Sequence, residues 1–396
     1  MDLTRLTNDA SCHIVLVVVD GLGGYATRER GSELEEAHTP NLDQLAADGS
    51  TGLLQPAGRG ITVGSGPGHL ALFGYDPLEI ELGRGVLSAT GVGFDLQPGD
   101  VAARANLATL DADGTVVDRR AGRPDNATAQ RIVDHLNDAV SLDGVEVFFE
   151  LIAEHRVLLV VRGDGLDHRL ADVDPQRTGV PPRDPQPLDP AAEDTAQLMR
   201  DVLAQVRDAL TDHPADALLP RGFDTAHELP SFADRYRLRA ATVAIYPMYR
   251  GVARLCGMTA IGDPHSKEEQ VAAIRDHWDE FDYFFLHEKE ADRAGHDGDW
   301  DDKVAALEAF DEIVPALVDL QPDVLVVTGD HSSPTQLADH SWHPVPVVMW
   351  GPRVGVDDVD RFGERACSRG ILGQLPTQDL MPLMLAAADK LETFGV

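Results

Sequence analysis

The sequence predicts an α/β fold: a largely parallel sheet flanked by helices and interrupted by an inserted second domain. Three observations carry this. Short apolar runs recur at 14–19 (IVLVVV), 283–286 (YFFL), 324–328 (VLVVT) and 345–350 (VPVVMW), each bounded by polar residues. Continuous runs of this length, rich in β-branched and aromatic residues, fit strands buried on both faces, as in parallel sheets. Helical patterns lie between them, and that alternation makes a parallel sheet the economical arrangement. Finally, 396 residues exceed one ordinary core, and 92–235 carries Pro-rich connections such as PPRDPQPLDP (181–190). We therefore expect a core built from 1–91 and 236–396, with 92–235 as the insertion.

The elements follow in order. The run 14–19 stops at Asp20. Thr39-Pro40 reads as helix cap and first helical residue, Leu42, Leu45 and Ala46 share one face, and Gly49 ends it. Asp189-Pro190 starts a second helix, whose stripe of Leu198, Met199, Val202, Leu203, Val206 and Leu210 reads as core. A third helical pattern covers 301–319, and Pro315 inside it predicts a kink or an early end. No stretch reaches membrane-spanning length, and the N-terminal residues lack an apolar signal segment, so a soluble, cytoplasmic protein is expected.

Composition excludes several functions. The net charge is −34, and the only lysines are Lys267, Lys289, Lys303 and Lys390. Such a chain repels nucleic acid and anionic membranes, so neither is an expected partner. Its charge reads first as a solvation device. An anionic substrate would need a local positive island. Three cysteines, Cys12, Cys256 and Cys367, form no C-x-x-C pair. A disulfide framework or structural zinc site is not expected.

The acids and histidines fall in a telling pattern. Asp20 follows the first strand, Asp292 and His296 the second, Asp330 and His331 the third. Open α/β sheets bind ligands at the carboxyl ends of their strands, where these residues would converge. Taken singly, each has a plainer reading. A strand-end Asp is more often a turn or helix cap. Asp292 and His296, at i and i+4, share a helix face and suit either a surface ion pair or a zinc or manganese ion. Asp330 and His331 reach one site only if the backbone turns, which Gly329 and Ser332-Ser333-Pro334 favour. His340 precedes the fourth run, with His343 a competitor. Ser65, between Gly64 and Gly66, sits where a helix starts; alone it reads as a cap, but beside metal ions its hydroxyl becomes a nucleophile. Arginines Arg104, Arg119, Arg120 and Arg123 crowd one span of an acidic chain, with Arg177, Arg250 and Arg254 in other segments. Their forks match phosphate and carboxylate. Lys289 adds a point charge near Asp292.

Together VVVDG, HTPNLDQLA, VGSGPGHLALFGYDP, GRG (83–85), GDVAARANLATL, VVDRRAGR, HEKEADRAGHDGD and TGDHSSP with DHSWHPVPV resemble the archaeal-type, 2,3-bisphosphoglycerate-independent phosphoglycerate mutases. The resemblance runs from about residue 13 to about 385 and rests on many motifs in one order. It implies an alkaline-phosphatase-like core with an inserted α+β cap that holds substrate. It implies that Ser65 is transiently phosphorylated and that Asp20, Ser65, Asp330 and His331 hold one divalent ion. Asp292, His296 and His340 would hold the other, His340 rather than His343 matching the motif. Arg104, Asp118, Arg119, Arg123, Arg177, Arg250 and Lys289 are the candidates for substrate binding. The implied metals are two manganese ions, with zinc, cobalt or magnesium as alternatives, and no 2,3-bisphosphoglycerate is required. The implied reaction interconverts 3- and 2-phosphoglycerate. Rival readings are a phosphatase or phosphodiesterase on the same core, and a homoserine-type kinase, although no G-x-x-x-x-G-K-[ST] loop exists.

Overall fold

The computed structural model describes residues 3–80, 83–211, 213, 215–226 and 229–395. Its strands are β1 (Ile14–Val19), β2 (Ser50–Gln55), β3 (Val101–Leu110), β4 (Val116–Asp118), β5 (Glu146–Ala153), β6 (Arg156–Arg162), β7 (Ala217–Thr225), β8 (Ala240–Thr242), β9 (Thr259–Ala260), β10 (Tyr283–Glu288), β11 (Val324–Thr328), β12 (Val345–Trp350) and β13 (Gly373–Pro376). The chain divides into two compact units, an outer one of 1–81 with 229–396 and an inserted one of 82–228. These limits differ from 92–235 at both ends. The helix Arg84–Val92 goes with the insertion because Ala89 packs on Ala102, Leu158 and Val160. Residues 229–235 go with the outer unit because Phe232 packs on Phe73 and Tyr283.

The outer unit holds an eight-stranded sheet ordered β13-β2-β12-β11-β1-β10-β8-β9. β1 is parallel to both β10 and β11, and every residue of the three is buried. Val15, Val17 and Val19, with Phe284, Leu286, Leu325 and Val327, pack beneath apolar residues of the helices Pro40–Ala47, Lys267–Asp276 and Trp300–Asp311. One expectation fails: β12 runs antiparallel to β11 and to β2. A parallel return needs a crossover, usually a helix. Residues 329–344 contain none, so the chain turns back beside β11.

Two helices are built differently from their sequence signals. Thr39 occupies the cap position of Pro40–Ala47, but its side chain makes no capping bond. The buried carboxylate of Asp311 accepts instead from Asn41 N (3.1 Å) and Leu42 N (2.7 Å). The 301–319 pattern becomes Trp300–Asp311 followed by a separate short helix, Val314–Val318, with Pro315 in its first turn.

The inserted unit is an antiparallel sheet ordered β4-β3-β6-β5, with β7 on the other side of β3. Alternation along the strands assigns two faces. Val101, Ala103, Ala105 and Leu107 pack with the helices Asn126–Ala139 and Glu193–Ala209. Met199, Val202 and Val206 supply the stripe read from the sequence. The opposite face carries Ala102, Leu158 and Val160 under Arg84–Val92. Among the described residues no helix is long and apolar enough to cross a membrane. The three cysteines are buried and free.

Candidate active site

Three parallel strands deliver their ligands to one place. Asp20 follows β1, where Gly21 takes φ +65° and lets the chain turn at once. After β10, the helix Glu290–Asp297 places Asp292 in its first turn and His296 in its last. Asp330 and His331 lie beyond β11, in a non-strand turn, so adjacent residues aim at one point. Ser65 opens the helix Ser65–Leu72. Gly68 on that helix lies against the Asp330 backbone; a Cβ there would stand 2.7 Å from Asp330 O.

The tightest convergence is on His331 Nε2. It lies 3.2 Å from Ser65 Oγ, 3.3 Å from Asp20 Oδ1 and 3.2 Å from Asp330 Oδ2. Asp20 Oδ1 and Asp330 Oδ2 are buried without a hydrogen-bond partner. An ion with tetrahedral bonds of about 2.0–2.1 Å needs ligand atoms about 3.3–3.4 Å apart. The three distances to His331 Nε2 match that spacing, and two of the carboxylate oxygens are otherwise orphaned, so the donor chemistry suits a divalent ion. The tautomer agrees. Ser333 Oγ donates to Asp292 Oδ1 (2.6 Å) and lies 3.2 Å from His331 Nδ1, so it accepts from that nitrogen. Nε2 is left bare, as a metal ligand requires.

A second group adjoins it. Asp292, His296 and His340 present ligand atoms within 4.8 Å of one another, as do Asp20, Asp292 and His331. Asp292 Oδ1 is 3.7 Å from His296 Nε2 and 3.6 Å from His340 Nε2. His340 Nδ1 is held by the Val63 carbonyl at 2.8 Å, which turns Nε2 toward Asp292. His343 stacks on Tyr25 and Trp342 instead, so His340 is the residue brought to this group.

Charge is compensated locally. Lys289 Nζ bridges Asp20 Oδ2 (3.0 Å) and Asp292 Oδ2 (2.6 Å). Burial works to raise the Asp20 carboxyl, but His287, His331 and Lys289 outweigh it and hold it well below the usual range. Asp292 is depressed in the same way by His340, Lys289 and His331. Burial lowers Lys289, yet the two aspartates overcome that and raise it. Burial brings His287 down to about 4, so it is neutral.

The sequence reading missed the supporting groups. His69 Nδ1 sits 2.8 Å from Ser65 O and 3.3 Å from Asp330 Oδ2. Tyr249 and His287 lie beneath Asp20. Lys303, fully buried, joins the loop after β1 to the loop after β11 by donating to Gly23 O (3.1 Å) and Ser333 O (2.8 Å). His69, before Leu70-Ala71-Leu72, and His287, at the end of the apolar run 283–286, read as core from the sequence.

Within the inserted unit, register builds a positive island. Arg104 on β3 stands directly opposite Arg221 on β7, and Asn106 opposite Arg156 on β6. All three arginines have a buried Nε without a hydrogen-bond partner. Burial brings Arg104 down to about 10, reinforced by Arg221, Arg84 and Arg156. Like charges directly opposite on a sheet are destabilising, and Asp174 Oδ2, 3.9 Å from Arg221 Nη1, offsets part of that repulsion. Arg84 lies in the glycine-flanked GRG (83–85) and Arg221 precedes Gly222, yet neither they nor Arg156 are among the substrate-binding candidates named from the sequence. Several named candidates are differently engaged. Arg119 forks onto Asp174 (2.9 and 2.6 Å). Asp118 accepts from Arg120 N and Gly122 N, closing a turn. Arg123 and Arg177 are exposed. In the outer unit Arg250 binds Ala244 O (2.6 Å) and Asp263 (3.3 Å).

Comparison with known proteins gives the relatives of the whole chain. A family model described as 2,3-bisphosphoglycerate-independent phosphoglycerate mutase matches residues 46–216. A Thermus thermophilus protein named "Probable 2,3-bisphosphoglycerate-independent phosphoglycerate mutase" is 45% identical over 399 residues, spanning 99% of this chain and 98% of its own. A Deinococcus radiodurans protein of the same name is 45% identical over 405 residues, spanning 100% and 99%. The solved cofactor-independent phosphoglycerate mutase from Thermoplasma acidophilum has a TM-score of 0.78 at 30% identity, covering 95% of this chain and 100% of that one. A solved protein from Pyrococcus horikoshii has a TM-score of 0.81 at 28% identity, covering 98% and 100%.

Proposed function

The chain belongs to the 2,3-bisphosphoglycerate-independent phosphoglycerate mutase family, and from that premise we propose a metal-dependent isomerase working through a phosphoserine at Ser65. Its reaction is an intramolecular phosphoryl transfer between O3 and O2 of glycerate. The observation that carries this reading is the convergence of Ser65 Oγ, Asp20 Oδ1 and Asp330 Oδ2 on His331 Nε2, with both carboxylate oxygens orphaned.

Asp20, Ser65, Asp330 and His331 are the residues to hold one divalent ion, and Asp292, His296 and His340 the other. When bound, such ions lower the pKa of a coordinated hydroxyl and offset charge on phosphoryl oxygens. Manganese suits the mixed carboxylate and imidazole set. Ser65 Oγ forms a bond to phosphorus as the bond from phosphorus to glycerate O3 breaks. The proton lost by Ser65 is regained by O3. Glycerate O2 then attacks the phosphoserine, gives up its proton, and Ser65 leaves as the hydroxyl. The N-terminus of Ser65–Leu72 offers backbone N–H groups to the phosphoryl oxygens. Lys289 keeps Asp20 and Asp292 ionised between turnovers. Arg104, Arg156 and Arg221, with Arg84, are assigned the anionic groups of the substrate. Retaining glycerate during the interval separates a mutase from a phosphatase.

The test is direct. Purified protein is incubated with manganese and 3-phosphoglycerate, without 2,3-bisphosphoglycerate, and followed by phosphorus NMR. A 2-phosphoglycerate signal growing to a constant ratio is expected, abolished by a chelator and restored by manganese. Free phosphate as the sole product would replace the mutase with a hydrolase.

A further inference from the structure

Two buried groups beneath Asp20 have no task in the mechanism above. Tyr249, on the helix Pro247–Leu255, donates its hydroxyl proton to Asp20 Oδ2. His287, on β10, reaches the same oxygen from Nε2 at 3.1 Å. Lys289 is a third donor to it at 3.0 Å. The other oxygen, Oδ1, has no partner and faces His331 Nε2. His287 Nδ1 is also buried without a partner, so it is the bare nitrogen and Nε2 carries the proton. The two rings stack with centroids 3.5 Å apart, and each residue is 1% exposed. Neither donor can turn away to water.

A carboxylate with both oxygens free binds an ion through one or two of them. Calcium uses that freedom to fill its larger shell of about 6–8 oxygens. Saturating Oδ2 with donors removes the choice. We propose that Tyr249 and His287 are positioning residues that hold Asp20 to a single ligating oxygen, and so set the centre's preference for small transition-metal ions over calcium. The inference rests on the metal reading of Asp20 given above. It adds that ion choice is imposed from beneath the ligand, by residues that touch neither ion nor substrate.

The experiment is calorimetric titration of chelator-treated protein with manganese chloride and, separately, calcium chloride, without substrate. Wild type is compared with Tyr249→Phe, His287→Leu and His287→Gln. Tyr249→Phe, which removes one hydroxyl and leaves the ring, is expected to weaken manganese binding about tenfold, the lower end for a lost outer partner. Calcium binding should strengthen, so the manganese-to-calcium affinity ratio falls by more than the manganese loss alone. His287→Leu should act likewise. His287→Gln keeps an N–H donor and should hold the wild-type ratio. An unchanged ratio in Tyr249→Phe, or equal weakening of both ions, would overturn the proposal. Melting curves of the metal-free variants identify any loss of fold, and Tyr249→Phe alone suffices if His287→Leu does not fold. Wild type that takes up no manganese, with Asp20→Asn indistinguishable from it, would instead remove the metal reading itself.

Discussion

The two units carry opposite kinds of incompleteness. Around the outer unit's candidate centre, the buried atoms left without partners include the acceptors Asp20 Oδ1 and Asp330 Oδ2. In the inserted unit they include donors: Nε of Arg104, Arg156 and Arg221. An orphan acceptor asks for a cation and an orphan donor for an anion, because leaving either unmade costs its desolvation. In a chain of net charge −34, strand register brings Arg104 opposite Arg221 on the inserted unit's sheet.

Substitutions can break that comparison. Ser65→Ala should have the largest effect, a loss on the order of 10,000-fold in turnover, since the nucleophile itself is removed. Metal content measured after gel filtration should fall little. Retained isomerisation by phosphorus NMR would end the phosphoserine proposal. Asp330→Asn weakens one ligand of four, and manganese titration should show one of two ions bound at least about 100-fold less tightly. Unaltered binding of both ions would place Asp330 outside the centre.

Changes in the inserted unit should be smaller and of a different kind. Arg104→Met removes one charged hydrogen-bonding group worth about 1.5–3 kcal/mol, which is roughly 10- to 150-fold in kcat/KM. It should leave manganese affinity at the wild-type value, and a changed metal titration would contradict the division of labour. The smallest effect concerns acid stability. Burial raises Asp174, but the Arg119 fork, Gln176 N–H and Arg221 bring it below its ordinary value. A carboxyl lowered by folding stabilises the fold above its unfolded pKa and loses that contribution as pH falls through the folded one. Arg119→Met should therefore shift acid unfolding to higher pH, with a loss of about 1 kcal/mol at neutral pH. An unmoved acid transition by circular dichroism would show the pair to be idle.

The sequence made the centre more legible than the island. Asp20, Asp292 and Asp330 stand just past buried strands, so fold class and ligand position are one inference. Pro315 read equally well, since proline acts locally, while Asp189-Pro190 opens a short 3-10 turn, Pro190–Ala192, that leads into the α-helix Glu193–Ala209. What depended on pairing did not show. β12 has the composition of its parallel neighbours, and only its missing crossover helix reverses it. Arg104 faces Arg221 across a ladder whose partners are far apart in the chain, and no local pattern announces that register. Tyr249, His69 and His287 escaped for a related reason: their partner Asp20 or Asp330 is far away in the chain, and no local pattern shows it. Thr39 illustrates the converse, a good cap in the right place that Asp311 replaces from far along the chain.

The pairing of β1 with β10 and β11 also bears on how the protein is made. Asp20 leaves the ribosome early and His340 late, with the whole inserted unit synthesised between them. β1 and β2, the latter paired with β12 and β13, then wait through most of translation with both edges open. Long-range pairing of this kind is slow and exposes the nascent chain to aggregation. Mutual repulsion between highly acidic chains opposes that hazard. The proposed metal ligands of β1, β10 and β11 thus come together only once those three strands have paired.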